Sequence, residues 1–301
     1  MSEPSTIETA ALVALLRIGK RPWSVYTDLV DTRGSAEAIL REELAAETDR
    51  SSLFEQGDAA RSVAALIARA AADLDVWSEE GMRVLTVLDP DYPENLRTVH
   101  DRPPLIFVAG RLTPTDPRSI AVVGARQATP TGLARARAIA EHLSQSGYTV
   151  ASGLASGIDT AAHTAALASG GRTIAVIGTG LRRSYPPENA RLQRRIAEEC
   201  AVISQFWPNA PPTRRTFPMR NATMSGLTLA TVVVEASHTS GSRMQARLAL
   251  EHGRPVFLVD SLMEQAWARD CATRPGTRVV RFPEEITNAV ERLTSSNPLV
   301  A

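Results

Sequence analysis

The chain has one lysine, Lys20, in 301 residues. A Walker-type phosphate loop needs a lysine at its glycine turn, so P-loop nucleotide hydrolysis is excluded. Cysteine is almost as scarce: Cys200 and Cys271 stand far apart, which argues against a disulfide framework and against a thiolate zinc site. No apolar run approaches the roughly 20 residues that span a bilayer. The first ten residues, MSEPSTIETA, are acidic and lack the basic start of a secretory signal, so the cytoplasm is the expected location. The dinucleotide fingerprint GxGxxG is also missing. Gly153-Leu154-Ala155-Ser156-Gly157 has another spacing, and no acidic residue ends a strand about 20 residues later. No cofactor and no metal is expected.

What is present is a folded α/β protein with an uneven charge distribution. With 44% hydrophobic residues the chain can bury one large core and a smaller one. The zero net charge divides: residues 1–110 carry 11 basic and 19 acidic side chains, and residues 111–260 carry 17 arginines against 9 acids. A segment at +8 is a better guide to a partner than a neutral total.

Residues 1–78 read as a small acidic helical domain, with helices at Ile7–Ile18, Ser35–Ala46 and Gly57–Ala72. Residues 79–301 read as an extended Rossmann-like domain. Short apolar strands are expected at Arg83–Leu88, Pro103–Gly110, Ile120–Val123, Tyr148–Ala151, Thr173–Ile177 and Ala201–Ser204. More follow at Ala230–Ala236, Pro255–Val259 and Arg278–Phe282, with helices at Asn189–Glu199, Arg243–His252 and Glu284–Leu293. Strands alternating with helices predict a doubly wound, mainly parallel sheet covered on both faces.

Four strand-end turns combine glycine with hydroxyls or arginine: residues 124–126, 152–157, 178–180 and 240–242. In an open parallel sheet such turns share one edge, outside the carboxyl ends of the strands, where ligands bind. Their glycines let a backbone approach phosphate at a helix N-terminus. The predicted phosphate-binding set is Gly124, Arg126, Ser152, Gly153, Gly157, Gly178, Thr179, Gly180, Ser240, Gly241 and Ser242. Arg182 and Arg183 follow the third of these turns, Arg214 and Arg215 lie in a proline-rich loop, Asn209–Arg215, and Arg220 precedes Asn221; arginine's planar fork suits phosphate oxygens. Phe217, between Arg215 and Arg220, is either a base-stacking ring or core. Asp159 and His163, one helical turn apart, are either an acid/base pair or structural groups. No nucleophile or ligand set accompanies them, which favours the structural role, as it does for His238. Glu235 is read as structural too, or as a partner of Arg220.

These residues occur in VGARQATPTG (123–132), SGLASGIDTAAHTAAL (152–167), RTIAVIGTGLRRSYPPEN (172–189), FPMRNATMSGLT (217–228), VVVEASHTSGS (232–242) and ARLALEHGRPVFLV (246–259). In that order they resemble the DNA-processing protein A family, also called DprA or Smf, over roughly residues 80–260. The resemblance implies a non-enzymatic protein that binds single-stranded DNA, protects it and helps load a RecA-type recombinase, typically as a homodimer. It implies DNA contacts at Arg126, Ser152, Gly153, Arg214, Phe217, Arg220 and Asn221, with Arg254 as a further match. The chain departs from the family pattern at Ala222-Thr223-Met224, at Arg243-Met244-Gln245 and at Asp260-Ser261-Leu262-Met263, and no winged-helix domain is expected after the core. The alternative from the wider superfamily is a nucleotide sensor or a phosphoribohydrolase. Hydrolysis needs a carboxylate in the first turn after residues 239–242, where Arg243, Met244 and Gln245 stand instead.

Overall fold

The computed structural model describes residues 6–48, 56–237 and 240–295. The chain divides into two compact units, one of residues 1–92 and 101–107, the other of residues 93–100 and 108–301. His238 and Thr239 lie outside the described residues.

The first unit contains α1 (Thr6–Ile18), α2 (Trp23–Arg33), α3 (Ala36–Thr48), α4 (Gln56–Glu79) and strand β1 (Met82–Thr86). Seven consecutive residues of α1, Ala10–Leu16, are buried. Glu8 also caps α3: its carboxylate accepts from the Ser35 hydroxyl at 2.8 Å and the Ala36 amide at 2.5 Å. The sequence reading has no helix at α2. Its Trp, Val, Tyr and Thr residues are poor helix formers, and burial of Tyr26, Thr27 and Val30 overrides that preference.

The second unit holds α5 (Glu94–Arg97) and a series of strands and helices, with β2 (Leu105–Gly110) leading into it. Its elements are β3 (Ser119–Val123), α6 (Pro130–Gln145), β4 (Thr149–Ser152), α7 (Ile158–Ala168), β5 (Thr173–Val176), α8 (Ala190–Glu199) and β6 (Ala201–Ser204). Then come α9 (Thr216–Leu227), β7 (Ala230–Val233), α10 (Gly241–Glu251), β8 (Val256–Val259), α11 (Ala266–Ala272), β9 (Thr277–Val280) and α12 (Pro283–Ser295). Every pairing from β3 to β9 is parallel. All residues of β3 to β8 are buried, as expected for a sheet covered on both faces. Residues of α6, α7 and α12 join Ile120, Val122, Val150, Val232 and Phe257 in one cluster, while Ile196 of α8 packs with Ala175, Ile177 and Val202.

The order of these seven strands is β6-β5-β4-β3-β7-β8-β9. The chain winds outward from β3 to β6, then returns to the other side of β3 and winds outward again to β9. The reversal lies between β3 and β7, whose register pairs Val123 with Val233. Beyond the carboxyl ends of two such strands the connecting loops diverge and leave a crevice. None of the helices among the described residues is long and apolar enough to cross a membrane.

Candidate nucleic-acid interface

A cavity of about 780 Å³ occupies that crevice. Gly124 and Arg126 reach it from the end of β3, Glu235 and Ser237 from the end of β7, and Ser240 to Ser242 from the start of α10. Helix α9 supplies Phe217, Arg220, Asn221 and Met224, whose spacing of three to four residues places them on one face. The sequence reading leaves this helix out. Pro218 and Gly226 disfavour a helical interior, but Pro218 falls in the first turn, where its missing N–H costs nothing.

On the far side of Phe217 a second space of about 190 Å³ is lined by Gly153, Gly178, Thr179, Tyr185 and Glu188. The two spaces share Arg126, Ala155, Phe217 and Arg220. Phe217, with Arg126, Ala155 and Arg220, therefore stands between two parts of one groove, and it is partly buried. The Arg126 guanidinium lies 5.4 Å from its ring centroid, and the Tyr185 ring 5.6 Å away at 45°. Tyr185 is 39% exposed and precedes a cis proline, Pro186. It stands inside the RRSYPPEN segment, beside the arginines that drew attention to this turn. Gly178 has a packing reason to be glycine, since a Cβ there would lie 2.9 Å from the Phe217 ring.

Arg220 differs from Arg126. It is 6% exposed, and Nη1 donates to the Val176 carbonyl at 3.2 Å, while Nε is buried without a hydrogen-bond partner. Burial lowers its pKa, the nearby Asp159 carboxylate raises it, and the Arg126 charge adds to the lowering. A Cβ on Gly153 would coincide with Arg220 Nη1, which explains glycine at that position. Asp159 is buried as well, and burial raises its pKa against the opposing charge of Arg220. Its carboxylate accepts from the Gly153 and Ala155 amides at 3.2 and 3.3 Å. Those two amides are thus already engaged, and the second glycine turn offers less to an incoming phosphate than its sequence implies.

His163 does not face Asp159. Thr173 Oγ1 donates to the Val150 carbonyl at 2.6 Å, so His163 Nδ1 donates to Thr173 Oγ1 at 2.7 Å. Burial and the Arg220 charge depress its pKa to about 3. Glu235 accepts from the Thr129 amide at 3.1 Å and hydroxyl at 2.7 Å, holding the loop that enters α6. Both carboxylates at the main cavity therefore have internal partners, and the first turn of α10 carries no acid.

Several expected site residues lie elsewhere. The Ser152 hydroxyl is fully buried and donates to the Val122 carbonyl at 2.7 Å, because it belongs to a strand covered on both faces. Arg254 Nη2 donates to the Asn95 carbonyl and to Thr98, both at 3.0 Å, and so closes the end of α5. Arg183 donates to the Asn209 carbonyl at 2.8 Å, and the Gly180 amide to the Ala210 carbonyl at 3.0 Å. Gly157 begins α7 behind Ala125 and Arg126. Arg214 is exposed in the loop before α9 and lines neither space.

The family model for DNA recombination-mediator protein A matches residues 83–291. The chain belongs to this family. It is 41% identical over 203 residues to the DNA processing protein DprA of Streptococcus pneumoniae, covering 67% of this chain and 72% of that protein. It is 36% identical over 232 residues to Protein Smf of Synechocystis sp., covering 76% of this chain but only 56% of the relative's length. The X-ray structure of DprA from S. pneumoniae superposes with a TM-score of 0.70 at 29% identity, over 95% of this chain and 98% of that one. The fold is also that of DNA processing protein A from Helicobacter pylori, solved for its single-stranded DNA binding mode, with a TM-score of 0.60 at 22% identity over 70% of this chain and 96% of that one.

Proposed function

We propose that the groove through β3, β7 and α9 holds a single strand of DNA, and that the protein processes DNA by binding and protecting it rather than by cleaving it. In this reading it works as a homodimer and delivers the strand to a RecA-type recombinase. One observation carries the proposal: the Arg126 guanidinium lies over the Phe217 ring, and the interacting charges of Arg126 and Arg220 line both spaces that this ring borders. Like charges brought together raise the energy of the empty site, and an anion between them relieves it. A partly exposed ring that borders both spaces offers a base a stacking surface, and stacking is tolerant of base identity. Kinship with proteins named for DNA processing agrees with this ligand class.

The test compares oligo(dT), duplex DNA and a mononucleotide on the wild-type protein and on Arg126→Ala. The strand should bind more tightly than either competitor. Each neutralised phosphate contributes about −0.7 to the slope of log affinity against log salt, and the variant should lose about that amount. Tight mononucleotide binding without a preference for the polymer would favour a nucleotide sensor instead. An Arg126→Ala protein with wild-type affinity and slope would overturn the reading.

A further inference from the structure

A separate cavity of about 310 Å³ lies between α10 and α11, and the function proposed above makes no use of it. Ser240, Arg243, Arg247, Trp267, Asp270 and Arg274 line it. Ser240 also lines the main cavity, so the two spaces meet at the first turn of α10. Arg243 and Arg247 follow Ser240 at successive helical turns and share its side of the helix. The Arg243 guanidinium lies 5.4 Å from the Trp267 ring centroid. Trp267 is only 7% exposed, so the ring is a fixed support, and its buried Nε1–H has no hydrogen-bond partner among the described residues. The lining thus places three arginine side chains and a buried indole N–H beside one carboxylate.

The ion pairs here do not close the cavity. Arg247 meets Glu251 at 2.7 Å and Arg274 meets Asp270 at 3.7 Å, and in both pairs each side chain is about half exposed or more. Exposed pairs at this spacing are weak, so a phosphate displaces them at little cost.

We infer that this cavity is a second phosphate-binding subsite for the same DNA strand, which leaves the main groove over Ser240 and turns along α10 across Arg243 toward Arg274. The inference rests on the single-strand reading of the main groove. It assigns Arg243 and Arg274 to nucleotides that a short ligand does not reach.

The experiment compares oligo(dT) of about five and about fifteen nucleotides, within the range single-strand sites occupy. Affinity is measured against salt for the wild-type protein, Arg243→Ala/Arg274→Ala and Arg243→Lys/Arg274→Lys. The longer strand should bind the wild-type protein more tightly and with a steeper salt slope. The alanine variant should lose this gain, its slope becoming shallower by about 0.7 for each phosphate released, with the short strand bound as before. The lysine variant should recover most of the slope. Unchanged binding of the long strand by the alanine variant would overturn the inference alone, and would leave this face for a protein partner. Failure of the wild-type protein to bind either strand would overturn the main-groove reading and this extension together.

Discussion

Replacing Phe217 by alanine removes the partition of the groove while leaving the arginines on either side. The ring has Gly178 beneath it, Tyr185 beside it and the Arg126 guanidinium over it. A base stacked on an aromatic ring contributes about 1–3 kcal/mol, so oligo(dT) affinity should fall roughly five- to 150-fold. The stability cost should be smaller than the about 3–5 kcal/mol of a fully buried phenylalanine, because this residue is only partly buried. Loss of about 1 kcal/mol lowers the melting midpoint by roughly 2–4 °C in a domain of this size. Anisotropy titration of a labelled oligonucleotide at fixed salt, paired with a thermal melt, separates the two effects. Phe217→Trp should retain binding because it keeps a stacking face. Met219→Ala, on the same helix but away from the groove lining, is the control and should change neither quantity. A folded Phe217→Ala protein that binds within twofold of wild type would refute the stacking argument. A protein that unfolds would place the ring in the core.

Gly153→Ala puts a methyl group where Arg220 Nη1 now sits, so the guanidinium must leave the Val176 carbonyl. Moving one member of a buried charge pair costs about 3–5 kcal/mol when its partner is left behind, and a urea titration should detect a loss of that order. Gly147→Ala has open space at its Cβ and tests backbone strain alone: Gly147 precedes β4 and Gly153 follows it, but only Gly147 has positive φ. His163 makes a prediction about acid. Its folded pKa of about 3 lies below the ordinary 6.5, so the unfolded chain binds a proton that the folded one refuses. Stability contributed by the neutral ring is complete above about pH 6.5 and is lost progressively as pH falls toward 3. His163→Gln should flatten the dependence of the urea midpoint on pH in that window; an unchanged slope would show that His163 is not the group responsible.

The fully buried strands were legible because parallel sheets read as short continuous apolar runs, as in Ile120–Val123 and Ala230–Val233. Their spatial order was not, since nothing local distinguishes a chain returning past β3 from one continuing beyond β6. The crevice depends on that order. Within it, Arg126 was visible from its place in a turn, whereas Arg220 and Arg126 look alike in sequence and differ only in burial. Tyr185 reaches Phe217 through a contact 32 residues apart, which no periodicity reports. Arg254 and Ser152 have side chains suited to phosphate, but tertiary carbonyls claim them first.

The Asp159 carboxylate bonded to the Gly153 and Ala155 amides has a wider consequence. In nucleotide-binding sheets of this kind, amides at the end of a strand wait for a phosphate brought by a diffusing cofactor. Here the protein carries a permanent surrogate for that anion within its own helix. The loop is consequently set before any ligand arrives. In the single-strand reading proposed above, a scaffold of the dinucleotide-binding kind becomes a fixed rail, along which a long polyanion is laid without the fold registering where one nucleotide ends and the next begins.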